Sequence, residues 1–583
     1  MRPLYRALAP VLAIALVGCS QRIGAGPRSE ADAIEYTLRF ASPESHMAEI
    51  EMSIPTDRAA SLEVMLPVWS PGFYQVENYA ENVRQFTAHG SAGELLASAH
   101  SSPNRWRVET AGQPRVTIDY TLACEGHSVT TNWVGPDYLV LNGPATFMTP
   151  IDSRSRTYRV RLCPDRRWPD CETALERARG GAPNEFAAPD YDTLVDSPIV
   201  AGRLSRHEFS VNGARHVLVD VGAPEGWDGQ LAADRLRPVV EQHARLMGGL
   251  PFRRYVFLNV FRAGGGGLEH CNSTLLTTHA GRAGGVAPGD GWLKFVSHEY
   301  FHAFNVKRLR PIELGPFDYE KPPRTSALWI AEGWTSYFGN LAVDRSREGS
   351  RSAFLRDASN EIRRLQTGAG RLKQSLEQAS LTVWDDGTTS GVGGNRDEVV
   401  DYYNKGFVVA FLLDAKIRRS TGDRRSLDDL IRLAYRRFGG AHGFTADQFE
   451  ATAGEVAGTD LREFFRRAVR STEELDYAEM LEWYGLRFTS TDDADSAWTL
   501  TVREDATADQ GRNLDHLVPA HVGAGSADIA PAPGRNSFCA NTTSIQRPNL
   551  NPTSRSRPTS VYPAAKCSRR LSLLSALMIP STL

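Results

Sequence analysis

The sequence lacks a dominant charge: 66 lysines and arginines stand against 69 aspartates and glutamates in 583 residues, a formal net charge of −3. That balance offers nothing general to a polyanion, so no nucleic acid is expected as a partner, and any electrostatic preference must come from a local site. Cysteine is scarce, with seven in the chain, which excludes a disulfide scaffold. Cys163 and Cys171 either close a small loop around PDRRWPD or stand as two separate thiols. The N-terminal apolar stretch ALAPVLAIALVG is too short to span a bilayer. Acidic residues are missing altogether after Asp528, where Ser, Thr, Pro, Asn and Arg dominate. Such a segment lacks the apolar periodicity that would offset its ordering entropy, so residues 491–583 are expected to be a disordered tail.

What the N-terminus does have is the grammar of export. Arg2 and Arg6 precede the apolar stretch, and LVGC places small residues before Cys19. This pattern resembles the lipobox of bacterial lipoproteins, which implies a signal peptide over residues 1–18 and lipid attachment at Cys19. It also implies a tether over 19–34 and a periplasm-facing position in the cell envelope, at the outer membrane; an ordinary secretory signal is the alternative. From residue 35 to 201, alternating runs such as EYTLRF, HMAEIEMSI and RVTIDYTL, cut by SPG and NGP, read as an all-β sandwich domain. HEFSV and RHVLVDVG are further strands that fit either side of the boundary at 202. Beyond it, QLAADRLRPVVEQHARLMGG has helical spacing and a glycine stop, followed by the strand-like YVFLNVF and four glycines. After Ser326 the text is mostly helical to about residue 490. The fold class is therefore α+β and multidomain, with a mixed sheet-and-helix half preceding a helical half.

Chemistry concentrates in KFVSHEYFHAFNVKRLRP, residues 294–311. A helix turns about 100° per residue, so His298 and His302 project from one face, one turn apart, and can share one metal ion. Glu299 is offset enough to meet an attacking water instead. The alternative is a buried helix with two satisfied imidazoles. Hydrolytic zinc wants a third protein ligand and an open position. Glu332 lies thirty residues on, among Leu328, Trp329, Ile330, Ala331 and Trp334, where a carboxylate without a partner would be costly. Ser336, one turn further, is placed to hydrogen-bond a ligand histidine. Upstream, GGGGLEHCNST follows a strand. Gly266 and Gly267 there leave backbone open to an extended peptide, and Glu269 could meet a free α-amine; a flexible turn is the plainer reading.

The pair formed by this helix and the later glutamate resembles the gluzincin metallopeptidases, whose catalytic domain is thermolysin-like. GGLEHCNST, SHEYFHAFNVKRLRP, GPFDY, IAEGWTSYF and YYNKG, in that order, are similar to the glycyl aminopeptidase family, and LPVWSPGFY with ENYAENV resembles its β domain. The resemblance implies one Zn²⁺ per chain on His298, His302 and Glu332, with Glu299 as general base. It also implies Glu269 as anchor for the substrate amine and Tyr403 as donor to the oxyanion, Tyr402 being the alternative. The implied substrates are peptides with a free N-terminus and a small first residue, Gly or Ala. An endopeptidase of thermolysin type and a non-catalytic peptide-binding lipoprotein are the competing readings. The family commonly carries a PDZ domain after the catalytic helices; no such module is legible here, which suggests a changed reading frame near 515–530 or a degenerated domain.

Overall fold

The computed structural model describes residues 32–151, 156–279, 288–385, 395–489 and 496–520. Side chains alternate inward and outward along Met47–Pro55 and Arg115–Ala123, and the two strands pair antiparallel from Met47↔Ala123 to Pro55↔Arg115. They form the middle of an eight-stranded sheet, and two four-stranded sheets share its core. Large aromatic side chains fill that core, including Tyr36, Tyr120 and Tyr158, and the hydroxyls of Tyr36 and Tyr120 donate to the Met148 and Thr146 carbonyls. The N-terminal half is thus a β domain. Cys163 and Cys171 are both free thiols within it.

The next sheet belongs to the C-terminal half. Its five strands run in the order Leu204–Val211, Ala214–Val221, Arg254–Phe261, Ser273–Thr278 and Gly266–Glu269. The strands read as HEFSV and RHVLVDVG therefore pair with this sheet. Ala214–Val221 and Arg254–Phe261 are parallel and buried almost throughout, as parallel strands covered on both faces require. The helix Gly229–Met247 connects them; Asp228 caps its start by accepting from the Leu231 amide, and Gly248 ends it in the left-handed conformation. Among the described residues Gly266–Glu269 is the sheet's edge and bonds antiparallel to Ser273–Thr278 alone.

Helices make up the remainder, and one hydrophobic cluster unites them with the sheet's helical face. The longest, Tyr402–Thr421, is capped by Asp401, which accepts from the Tyr403 and Asn404 amides, and runs through the centre of that cluster. Among the described residues no helix is long and apolar enough to cross a membrane. The expectation of a tail without structure from residue 491 is corrected for its first part. Leu500–Val502 pairs with Leu486–Phe488, and Ala508–Leu517 forms a helix. Leu514, Leu517 and Val518 bury themselves in this hydrophobic cluster, and the Arg345 and Arg351 side chains donate to the Leu517 and Val518 carbonyls. Burial of that apolar edge supplies what composition alone obscured. The signal and tether residues up to 31, including Cys19, and everything after residue 520 lie outside the described residues.

Candidate active site

The helix Asp290–Phe301 carries His298 and Glu299, and His302 caps its end. Aromatic packing fixes it: the Tyr300 ring sits edge-on to Tyr255 at 4.7 Å, and its hydroxyl donates to His216 Nε2 at 2.9 Å. On the other side Ser297 donates to the Gly339 carbonyl at 2.8 Å. A Cβ on Gly339 would lie 3.0 Å from the His298 backbone, so this glycine permits the close approach of Thr335–Arg345.

Glu332 stands in a π-helical turn, Trp329–Trp334, a local widening common at functional sites. Its Oε2 lies 3.2 Å from His302 Nε2 and 3.6 Å from His298 Nε2, and the two nitrogens are 3.0 Å apart. Asn305 ties the turn to the histidine helix. Its side-chain amide donates to the Ile330 and Ala331 carbonyls and to Thr335 Oγ1, while its backbone carbonyl accepts from His302 Nδ1 at 2.9 Å. The next residue, Val306, has φ +132°, a strained conformation for a β-branched residue. The turn also meets Tyr402–Thr421 glycine to glycine, because a Cβ on Gly333 would come within 2.5 Å of the Gly406 Cα.

These side chains suit a divalent metal. The Nδ1 of His302 faces a carbonyl at 2.9 Å, so in the neutral, metal-binding form of the ring its bare Nε2 would point toward the centre. Ser336 Oγ lies 3.2 Å from His298 Nδ1 and can hold that ring in the same way. Two imidazole lone pairs and a carboxylate oxygen then converge on one point, an arrangement that only an electropositive partner relieves. Zinc takes this donor set.

Two more carboxylates crowd the same place. Glu269 ends the edge strand, and Glu269, Glu299 and His302 bring one ligand atom each within 4.8 Å of the others. Glu269, Glu299 and Glu332 are only 4%, 4% and 2% exposed. Burial pushes Glu299 up to about 8; His302 opposes this and Glu269 and Glu332 add to it. Glu269 is raised for the same first cause. Burial favours neutral His302, but Glu332 and then Glu269 outweigh it and raise the imidazole to about 10. Glu332 is held well below the usual carboxylate range because the His302 charge and hydrogen bonds from both imidazoles overcome its burial. The nearby Lys307 ammonium is engaged by Asp196 at 2.8 Å.

The remaining sequence-derived positions fall around this cluster. Gly267 lies directly over Glu299, where a Cβ would come 2.1 Å from the carboxyl carbon; Gly266 has φ +126° and open space around it. The Tyr403 ring lies alongside the His298 imidazole, centroids 6.0 Å apart, while Tyr402 is buried and packs on Tyr74. Tyr74, Gly72 and Asn305 were missed as site residues. All three stand inside motifs quoted above, SPGFY and FHAFN, but nothing in those strings says what they touch.

Two family models match the chain. Residues 35–203 match the Peptidase M61 N-terminal domain, and residues 291–409 match the M61 glycyl aminopeptidase. Over both segments the chain is similar to M61 peptidases. An aminopeptidase N family protein from Idiomarina loihiensis is similar to it at 26% identity and TM-score 0.73, over 78% of each chain. Weaker likenesses include an M1 zinc metallopeptidase from Deinococcus radiodurans, at 12% identity and TM-score 0.47 over 76% of this chain and 94% of that one. Leukotriene A4 hydrolase from Saccharomyces cerevisiae gives 13% and 0.46 over 78% and 70%. Comparison with curated proteins gives no match. The segment that matches the M61 glycyl aminopeptidase thus contains the histidines, Glu332 and Tyr403, while Glu269 precedes it.

Proposed function

We propose that this protein is a zinc-dependent aminopeptidase that removes small N-terminal residues, Gly or Ala, from short peptides. The observation that carries the reading is the charge of the buried site. Three carboxylates, Glu269, Glu299 and Glu332, share one enclosure, and Lys307, bonded to Asp196, also acts on Glu269. With a divalent metal on His298, His302 and Glu332, Glu269 at the end of the edge strand is the carboxylate that a substrate α-ammonium would meet, and burial strengthens that pairing. His298, His302 and Glu332 would hold the zinc, which when bound supplies Lewis acidity to the scissile carbonyl and the attacking water.

The chain's own residues do the rest. The edge strand Gly266–Glu269 offers main-chain groups to an extended peptide. Glu269 then pairs with the ammonium, which fixes cleavage at the first peptide bond. Glu299 accepts the proton of the attacking water and returns it to the departing amine. The Tyr403 phenol donates toward the oxygen on which negative charge develops. Preference for Gly and Ala rests on the family name. Export and membrane attachment through lipid at Cys19 belong to the same proposal. Paired substrates test it: a free Ala-peptide amide should be hydrolysed and its N-acetylated form left intact. Equal rates on both would make the enzyme an endopeptidase.

A further inference from the structure

The β domain reaches into the catalytic centre through one turn, Ser70 to Tyr74. The Tyr74 hydroxyl donates to Glu332 Oε1 at 2.9 Å across 258 residues of sequence. The other oxygen of the same carboxylate, Oε2, faces the two imidazoles. A carboxylate otherwise free to rotate is thereby fixed with one oxygen inward. We propose that Tyr74 is a positioning residue of the metal centre, holding Glu332 as a single-oxygen ligand, so that the β domain completes the active site.

Three features of the turn favour this over incidental packing. Its start is anchored within the β domain: Ser70 Oγ lies 2.8 Å from the Tyr79 hydroxyl and accepts from Asn142 Nδ2 at 2.9 Å. Its tip needs glycine twice. Gly72 has φ +96°, and a Cβ there would come 2.4 Å from Glu269 Oε2, so the same turn also seats a second carboxylate of the site. The Tyr74 ring, 7% exposed, is gripped edge-on by Trp384 at 6.0 Å and Tyr402 at 6.5 Å, which leaves its hydroxyl one direction to point. Partners that orient a metal ligand typically contribute 10- to 100-fold in affinity.

The inference rests on Glu332 being a zinc ligand, and its test separates the two. Full-length protein is stripped of metal, and zinc affinity is measured by competition with a chromophoric chelator for wild type and Tyr74→Phe. Phenylalanine keeps the ring contacts with Trp384 and Tyr402 and removes only the donor. The expected result is about a 10- to 100-fold weaker zinc dissociation constant, a changed visible spectrum after cobalt substitution, and melting in chelator within a few degrees of wild type. A dissociation constant within twofold of wild type together with a superimposable cobalt spectrum overturns the role of Tyr74 alone. Wild-type protein that takes up no zinc overturns the metal reading and this inference with it.

Discussion

Asn305→Asp is the sharpest test of how the two ligand-bearing segments are joined. The change is nearly isosteric and leaves the backbone carbonyl that holds His302 in place. It replaces an amide donor, 1% exposed, with an oxygen facing the Ile330 carbonyl at 2.8 Å and the Ala331 carbonyl at 3.3 Å. The Ile330 carbonyl loses this donor at about 1–3 kcal/mol while the Ala331 carbonyl keeps the Thr335 hydroxyl, and acceptor–acceptor repulsion is added, so a loss of about 2–4 kcal/mol is expected. Asn305→Ala loses the same bonds without the repulsion and should fall nearer the lower bound. The π-helical turn bearing Glu332 would be released from the histidine helix, so zinc affinity should fall by about 10- to 100-fold, the usual effect of removing a ligand's support. Chelator-treated protein followed by thermal melting reports the first effect, and chelator competition the second. An Asn305→Asp protein that melts within a degree of wild type and binds zinc equally well would show that Asn305 does not tie these segments together.

Glu299→Gln should keep its zinc, by metal analysis, while kcat falls about 10²- to 10⁴-fold through loss of the proton acceptor; undiminished turnover would remove Glu299 from the mechanism. Gly267→Ala places a methyl where Glu299 now lies and should cost about 10²-fold in kcat/KM through misplacement of reacting groups, with little change in melting temperature; near-normal kinetics would mean the edge strand simply shifts aside. The pH dependence of stability follows from two buried histidines packed against the helix that bears the proposed metal ligands, His243 beside Ser297 and His216 beside Tyr300. Burial lowers His243 to about 3 and His216 to about 4. A depressed folded pKa means the unfolded chain takes up the proton first, so their contribution is complete above about pH 6.5 and is lost as pH falls toward the folded values. At pH 5 that is about 1.5 pKa units, or on the order of 2 kcal/mol for each histidine. Urea unfolding at pH 7.5 and pH 5 should show this decline, and His243→Gln should reduce it; an unchanged difference would assign the acid sensitivity elsewhere.

Helical periodicity made His298 and His302 legible as a pair, and an apolar setting made Glu332 conspicuous, because both signals are local. The contacts that hold these side chains in their final geometry are not. Tyr74 meets Glu332 from 258 residues away, and a tyrosine in a turn of a β domain carries no local mark of that destination. Asn305 lies three residues from His302, yet its partners are the Ile330 and Ala331 carbonyls, and backbone groups leave no trace in a sequence. The C-terminal segment shows the opposite failure. Thr507 and Gln510 form a capping box, a readable helix start, but composition averaged over the whole tail hid it beside residues of different character.

The glycines explain how separate strings become one site. AEGW and YYNKG look like independent motifs until Gly333 is found against the Gly406 backbone, where any side chain would collide. That contact brings the helix bearing Tyr403 up to the turn bearing Glu332. Gly267 does the same between the edge strand and Glu299, and Gly72 between the β domain and Glu269. In each case the missing side chain lets one element approach a carboxylate or its supporting turn more closely than packed side chains would allow. Three acidic groups are then gathered in one buried enclosure, where burial raises Glu269 and Glu299 and a bound cation would relieve their crowding. On this argument affinity for the metal and affinity for the substrate ammonium are coupled: each cation lowers the cost of the carboxylates for the other.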